Sequence, residues 1–373
     1  MRRLSMLLAG VAAPLMLVLV ISAASATVPA RKLHHVVRPI AALAMDGPRV
    51  AYVTDDDAVR VWNVQTGATA GLRPGSGHYM EHPFIPEVAI AGTRVAWITL
   101  GISGNSQETW ARLYTSSLTS GARPVASAFR TDGYSDGVQL WDGNWLTGLV
   151  GSGKVLAVSR WTTKPNADFS GNEISNARMS VIPATRKPLR MIASGEQSIV
   201  SASSDASRMA VLRPDDSVGI YSATGVLLRQ IRPSSAKEIA YGGGRLAVLT
   251  DTKTLEVYDS RSGKLLHTWP IHTKRSYLQA GKLSAYGRIG LYVVWPISGT
   301  QRIHLVDLAN GKELVLPPSS HMSGAQYAVV RQLGVVYTVN TYRSGTAPKM
   351  AGTLVFLSTT RALSMIKKGA TIR

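Results

Sequence analysis

The sequence predicts an all-β fold, a seven-bladed β-propeller of four-stranded antiparallel meanders. Three observations lead there. A short segment of the form Gly-x-Arg/Lys-apolar-small-apolar recurs along the chain, a second alternating run ending in a tight-turn signal follows most copies, and no stretch carries a long 3.6-residue apolar period.

The clearest copies of the first segment are Gly47-Pro48-Arg49-Val50-Ala51-Tyr52-Val53 and Gly92-Thr93-Arg94-Val95-Ala96-Trp97-Ile98. Further copies begin at Lys154, Arg208, Arg245 and Arg288, and a degenerate seventh is Gly334-Val335-Val336-Tyr337, at successive spacings of 45, 60, 54, 37, 43 and 46 residues. The second run is seen at Val59–Gly67, Val218–Gly225, Leu255–Gly263 and Ile303–Gly311. Alternation with period two marks half-buried strands, and a closing Thr-Gly, Ser-Gly or Asn-Gly supplies the positive φ of a hairpin turn.

Each unit is therefore a meander, with strands expected in the first at 40–46, 49–54, 59–64 and 68–73. Later units start near residues 85, 143, 197, 236, 280 and 325. Units of this size suit radial repetition, in which both faces of every sheet are buried by its neighbours. Either Lys32 to Arg38 or Leu363 to Lys368 could supply the outer strand that closes the last unit.

Val61-Trp62-Asn63 and Val257-Tyr258-Asp259 sit where WD-repeat propellers carry a Trp-Asp pair, and Asp259-Ser260-Arg261-Ser262-Gly263-Lys264 with Trp269 is similar to a quinoprotein blade. On these motifs the chain, over roughly residues 40–368, resembles bacterial exported propellers of the WD-repeat and quinoprotein-like superfamily. The resemblance implies the propeller fold. The Gly-His pair of WD repeats is missing and only one unit has the Gly-Lys-to-Trp arrangement, so no cofactor carries over.

The amino terminus reads as an export signal. Met1-Arg2-Arg3 precedes an apolar run from Leu4 to Ile21 and the small-residue segment Ser22-Ala23-Ala24-Ser25-Ala26. The expected organisation is a signal at 1–26, an N-terminal segment at 27–39 and the propeller at 40–373. The mature chain is then secreted or held in the extracytoplasmic envelope, with no stable membrane span. The whole sequence has 373 residues, 45% of them hydrophobic, and a formal charge of +19, which falls to +17 with Arg2 and Arg3. With no cysteine it has no disulfide framework, thiolate metal site or lipid-modified cysteine. Outside the cytoplasm a basic surface meets anionic polymers and headgroups rather than nucleic acid.

In a meander the B–C and D–A connections share one end of the propeller. Four longer segments, 74–86, 100–109, 129–144 and 160–176, are expected there as loops. They carry His78, Tyr79, Glu81, His82, Tyr134, Asp136, Trp141, Asp142, Trp161, Asp168 and Phe169. Aromatic residues beside carboxylates on loops of a rigid scaffold suit sugars, peptides or small polar ligands. Of these, His78, Tyr79, His82, Tyr134, Asp136, Trp141, Asp142 and Trp161 are the expected ligand contacts; the plainer reading is that such loops only cap an uneven core.

Other constellations point to structure. His78-Tyr79-Met80-Glu81-His82 has the spacing of an inverted zinc-peptidase motif, but Gly75, Gly77 and Pro83 bracket it too tightly for a helix. Asp55-Asp56-Asp57, Asp215-Asp216 and Asp251 recur at the same B–C turn and read as turn formers. Gly151-Ser152-Gly153-Lys154 lacks the full phosphate-loop spacing and reads as a hairpin turn. The sequence thus predicts an exported, monomeric, non-catalytic binding or scaffold module with no cofactor or metal, whose partner is a protein, an envelope polymer or another polyanion. The alternative is a metal-assisted hydrolase or lyase with a His/Asp site on the same face.

Overall fold

The computed structural model describes residues 28–73, 84–102, 108–135, 138–185, 187–195, 201–213, 215–271, 276–278, 283–296, 301–316, 327–343 and 349–371. After β1 (Arg31–Val36), the first sheet is a meander of β2 (Ile40–Asp46), β3 (Arg49–Thr54), β4 (Val59–Asn63) and β5 (Thr69–Arg73), within a residue of the strands expected there. Its Thr-Gly turn works as the sequence suggests: Asn63 Oδ1 accepts from the N–H groups of Gln65 and Thr66, and Gly67 takes a φ of 84°.

Eight strands then form one continuous antiparallel sheet: β6 (Phe84–Ala91), β7 (Arg94–Ile102), β8 (Glu108–Ser117), β9 (Ser120–Ser135), β10 (Val138–Ser152), β11 (Val155–Pro165), β12 (Asn172–Val181) and β13 (Arg190–Gly195). Two four-stranded meanders follow. One comprises β14 (Ser201–Asp205), β15 (Arg208–Leu212), β16 (Val218–Ser222) and β17 (Leu227–Ile231); the other β18 (Ala236–Gly242), β19 (Arg245–Thr250), β20 (Thr254–Asp259) and β21 (Leu265–Pro270).

In the next sheet β22 (Ser276–Leu278) and β23 (Ser284–Tyr286) both pair with β24 (Ile289–Pro296), which continues into β25 (Arg302–Asp307) and β26 (Lys312–Val315). The last sheet holds β27 (Ala328–Arg331), β28 (Gly334–Arg343) and β29 (Lys349–Ser358), and its outer strand is β1, antiparallel to β29. A helix, α1 (Thr359–Ile366), and β30 (Ala370–Thr371) complete the described chain, with β30 covering the edge of β26.

The innermost strands β2, β6, β10, β14, β18, β23 and β27 each pack on the next, and β27 returns to β2. The protein is therefore an all-β propeller of four-stranded antiparallel sheets around a central channel. Apolar layers fill the seams. Trp62 and Tyr52 meet Leu354 and Phe356 between the last and first sheets, and Trp97 with Ile85 meets Val53 and Val61 at the following seam. Removing one such buried tryptophan would cost about 3–5 kcal/mol.

An inner strand is a sheet edge, and its free N–H groups need partners. Polar side chains of the preceding inner strand or sheet supply them, step by step round the channel. Asp46 Oδ2 accepts from Gly92 N at 2.6 Å, Asp57 Oδ1 from Ile85 N at 2.9 Å and Glu87 Oε2 from Leu149 N at 2.8 Å. Ser152 Oγ accepts from Ala206 N at 3.2 Å, Ser203 Oγ from Tyr241 N at 2.9 Å and Glu238 Oε1 from Leu283 N at 2.5 Å. Ser284 Oγ accepts from Val330 N at 2.9 Å. The circuit ends at Asn340, whose Oδ1 accepts from Ile40 N at 3.1 Å while its Nδ2 donates to Ile40 O.

Three expectations are corrected. Five sheets stand as separate blades, not seven, because the second and third expected units are fused into the eight-stranded sheet. The cause is local: β9 and β10 keep pairing through Arg130–Ser135 and Val138–Gly143, so the expected loop 129–144 is largely a strand hairpin. Similarly, β11 and β12 pair out to Pro165 and Asn172, leaving only residues 166–171 of the expected loop 160–176 as a turn. Finally, 363–366 is helical rather than a strand: Ser358 Oγ caps α1 by accepting from Arg361 N, and Ala362 and Ile366 bury one face at a spacing of one turn.

Candidate binding face

Strands of the separate four-stranded meanders β2–β5, β14–β17 and β18–β21 are five to seven residues long, whereas β9 has 16 and β10 has 15. The extra length extends the ladder β7–β12 beyond the ring on the B–C and D–A side. What seats it is an arginine opposite a glycine. Arg130 and Gly143 are register partners, and Trp141 and Trp145 flank Gly143 on the same side of β10. The guanidinium lies 4.5 Å from the centroid of Trp141 and 3.9 Å from that of Trp145. Such contacts contribute about 0.5–2 kcal/mol each, more when desolvated.

Asp132, two residues along the same side of β9, pairs with Arg130 (Nε–Oδ1 2.8 Å) and accepts from Thr109 Oγ1. Burial pushes the Arg130 guanidinium down from its ordinary range and Asp132 partly offsets that. The backbone N–H of Trp141 donates to Asn172 Oδ1 at 2.5 Å, tying the hairpin to β12. Trp161 faces Trp145 across β10–β11 and packs on the apolar layer beneath. The expected residues thus divide: Trp141 and Trp161 build the inner side, whereas Asp142 is exposed on the opposite side of β10.

Tyr134 lies in β9 opposite Gln139. His78, Tyr79, Glu81, His82 and Asp136 lie outside the described residues. Asp168 is a turn former: its carboxylate accepts from Ser170 N and Oγ, which hold it below the usual carboxylate range, and Phe169 beside it has a φ of 56°.

The outward side of the ladder carries groups that the sequence reading passed over. Phe129 is 54% exposed next to the register pair Trp110, and Arg112 lies 4.6 Å over the Trp110 ring. Phe84, Ile102 and Phe169 are also exposed, but the registers Phe84–Leu100–Ala111–Ala128 and Ile102–Thr109–Arg130 put Phe84 and Ile102 on the opposite side of the ladder from Phe129. Three of the chain's four phenylalanines are therefore exposed, and Phe356 is in the core. The signal that could have found them is an aromatic breaking the small-residue pattern of 120–128.

The channel is the second concave feature, a cavity of about 510 Å³ lined by Leu43, Glu87, Leu149, Glu238, Leu283 and Tyr327 among others. At its A–B end, Asp46 and Asp205 set their negative charge around Arg331, while Asp46 Oδ2 also accepts from Gly153 N. Glu87 and Glu238 bind the adjoining inner strands. These carboxylates hold the ring together.

Away from the channel, His304 Nδ1 contacts Glu313 Oε1 while its ring stacks on Tyr292. Burial pushes the imidazole down to about 4, so it is neutral at physiological pH. Among the described residues no group of three His, Cys, Asp or Glu is placed to hold a metal ion, and no helix is long and apolar enough to cross a membrane.

No protein-family model and no curated protein matches the chain. Solved structures of similar shape include the computationally designed Ika8 protein (12% identity, TM-score 0.44, 87% of this chain and 98% of that one). A chain of the mitotic checkpoint complex has 11% identity and a TM-score of 0.47, over 93% and 98%. The WD40 β-propeller domain of Doa1 has 12% identity and a TM-score of 0.46, over 88% and 96%.

Proposed function

We propose that the chain is an exported binding or scaffold module of the WD-repeat and quinoprotein-like kind, not a catalyst, and that its partner docks on the extended ladder of the eight-stranded sheet. The observation that carries this reading is the exposed outward side of that ladder, where Phe129, Trp110 with Arg112, Asp142 and Asn144 share one pleated surface. Exposed aromatics on a braced scaffold serve recognition, because the rigid platform keeps the ordering cost of binding low. A protein or an anionic envelope polymer fits a chain of this charge.

In the same reading the eight-stranded sheet fills two positions, giving a seven-position ring. The support is the sequence of polar handovers, one at least at each of seven seams. The metal-assisted hydrolase or lyase has no observation among the described residues in its favour.

The test is capture from envelope extract by the mature protein and by the double variant Phe129→Asp, Asp142→Lys, with circular dichroism confirming that both fold. The variant is expected to lose the captured partner. Undiminished capture would contradict the choice of surface.

A further inference from the structure

The outermost strands of the sheets are edges too, and the chain covers two of them itself: β1 pairs with β29, and β30 with β26. β17 stands at the end of its sheet, and among the described residues nothing pairs with its outward backbone. Such an edge is usually blunted by lysine, proline or a covering segment. Here residues 226–230 are all exposed, and Val226, Leu227 and Leu228 are 57%, 46% and 45% exposed. Among the described residues no other three large apolar side chains in succession are exposed. The outer strands β5 and β21 instead mix exposed and partly covered positions. The register of β17 with β16 skips Leu228, so the strand's alternation breaks within the apolar run.

Two neighbouring sheets bring cations to this edge. On one side Arg190, at the start of β13, donates a guanidinium N–H to Ala223 O in the turn that leads into β17. On the other side the turn between β20 and β21 packs on β17. A Cβ at Gly263 would stand 3.7 Å from Arg229 Cδ and from Ile231 Cγ1, and Arg261 and Lys264 are exposed in the same turn. Residues 222–232 contain no Asp or Glu. The acid of the neighbouring turn, Asp259, is engaged within it, where Oδ1 accepts from Arg261 N, Ser262 N and Ser262 Oγ.

We infer that the edge of β17 is a docking site for an extended acidic segment of a partner protein, which joins the sheet as a fifth strand. Its backbone pairs with β17, its apolar side chains lie against Val226, Leu227 and Leu228, and its carboxylates face Arg190, Arg229, Arg261 and Lys264. Strand addition gives the outward N–H and C=O groups the partners that β1 and β30 give elsewhere. The unbalanced cations select Asp and Glu over Lys and Arg. A second copy of the chain fits less well, because pairing β17 with itself sets like charges against each other. An anionic bilayer would suit the cations, but lowering an open strand edge into hydrocarbon leaves its backbone groups without partners. The site lies at the C–D end of its blade and shares no residue with the extended ladder, so it stands or falls independently of the surface proposed there.

The experiment is fluorescence-polarisation titration of the protein with a labelled alternating Val-Glu peptide and, separately, with an alternating Val-Lys peptide. Hydrogen exchange of amides 227–231 is followed with and without the first peptide, and sedimentation is measured with phosphatidylglycerol vesicles. The titration is repeated on Leu228→Lys with Arg229→Glu, on Arg261→Glu with Lys264→Glu, and on the ladder variant Phe129→Asp, Asp142→Lys, each checked by circular dichroism. The Val-Glu peptide is expected to bind and the Val-Lys peptide not. Binding should slow exchange along β17, weaken about tenfold or more in both edge variants, and stay unchanged in the ladder variant. Equal binding of the two peptides, binding without slower exchange at 227–231, or binding that the edge variants retain would overturn the assignment. So would failure of the Val-Glu peptide to bind, whether or not the protein sediments with the vesicles.

Discussion

Among the buried charges the most consequential single side chain is Glu87. It is enclosed in the channel wall, and it accepts from Thr147 Oγ1 at 2.6 Å and from Leu149 N at 2.8 Å. Burial raises its carboxyl above the ordinary value of 4.5, with those hydrogen bonds pulling it part of the way back. A carboxyl whose folded pKa lies above its unfolded one takes up protons on folding. Its contribution is therefore full below 4.5 and is lost as the pH climbs through the folded value. Glu87→Gln keeps the acceptor for Leu149 and removes the titration. Its Tm relative to the unmodified protein is expected to rise steadily as the pH is taken from below 4.5 to neutrality, which differential scanning calorimetry will follow; a pH-independent offset would contradict it.

At the scale of the element, the hairpin β9–β10 decides the candidate face, and Gly143 decides the hairpin. Gly143 has a φ of 135°, and a Cβ there would stand 2.4 Å from Phe129 O. Gly143→Ala is therefore expected to splay β9 from β10 and cost about 1–3 kcal/mol, read by urea unfolding. Arg130 should lose its two-sided tryptophan contact, with a change in tryptophan fluorescence; unchanged stability and spectrum would contradict the packing described. Much of each ordinary meander was legible in the sequence, because Gly-x-Arg and Thr-Gly turns bracket runs of period two, as in 47–53 and 59–67. The extension was not legible: Gly133, Asp136, Gly137, Asp142 and Gly143 read as loop residues one by one, and only cross-strand pairing makes most of that stretch strand. Of the candidate site residues, Trp141 and Trp161 lie on the inner side of the hairpin, a placement that follows from a register that composition does not fix. Phe129, at the edge of the expected loop 129–144, and Trp110, just past the expected loop 100–109, stand on its outward side, which the same register decides.

At the scale of the whole molecule the structure is a circuit. β1 joins the last sheet to the start of the chain, and Asn340 closes the hydrogen-bond sequence by bonding both the N–H and the C=O of Ile40. The repeat predicted four-stranded meanders but not that two of the expected units would share one sheet, since fusion depends on strands that outrun the ring. The buried carboxylates and Arg331 at the channel were equally hidden, because a Glu within an apolar alternation gives no sign of which edge it faces. The proposed seven-position ring is tested most directly by native-state hydrogen exchange of the amides of Ile40, Ile85, Leu149, Ala206, Tyr241, Leu283 and Val330, in the protein and in Asn340→Leu. If the ring is one closed circuit, all seven exchange together through global opening, and the variant lowers the protection of all by the same amount, about 1–3 kcal/mol. If instead Leu149 and its neighbours in the eight-stranded sheet keep full protection while the others lose it, that sheet is a separate unit and the seven-position ring is wrong.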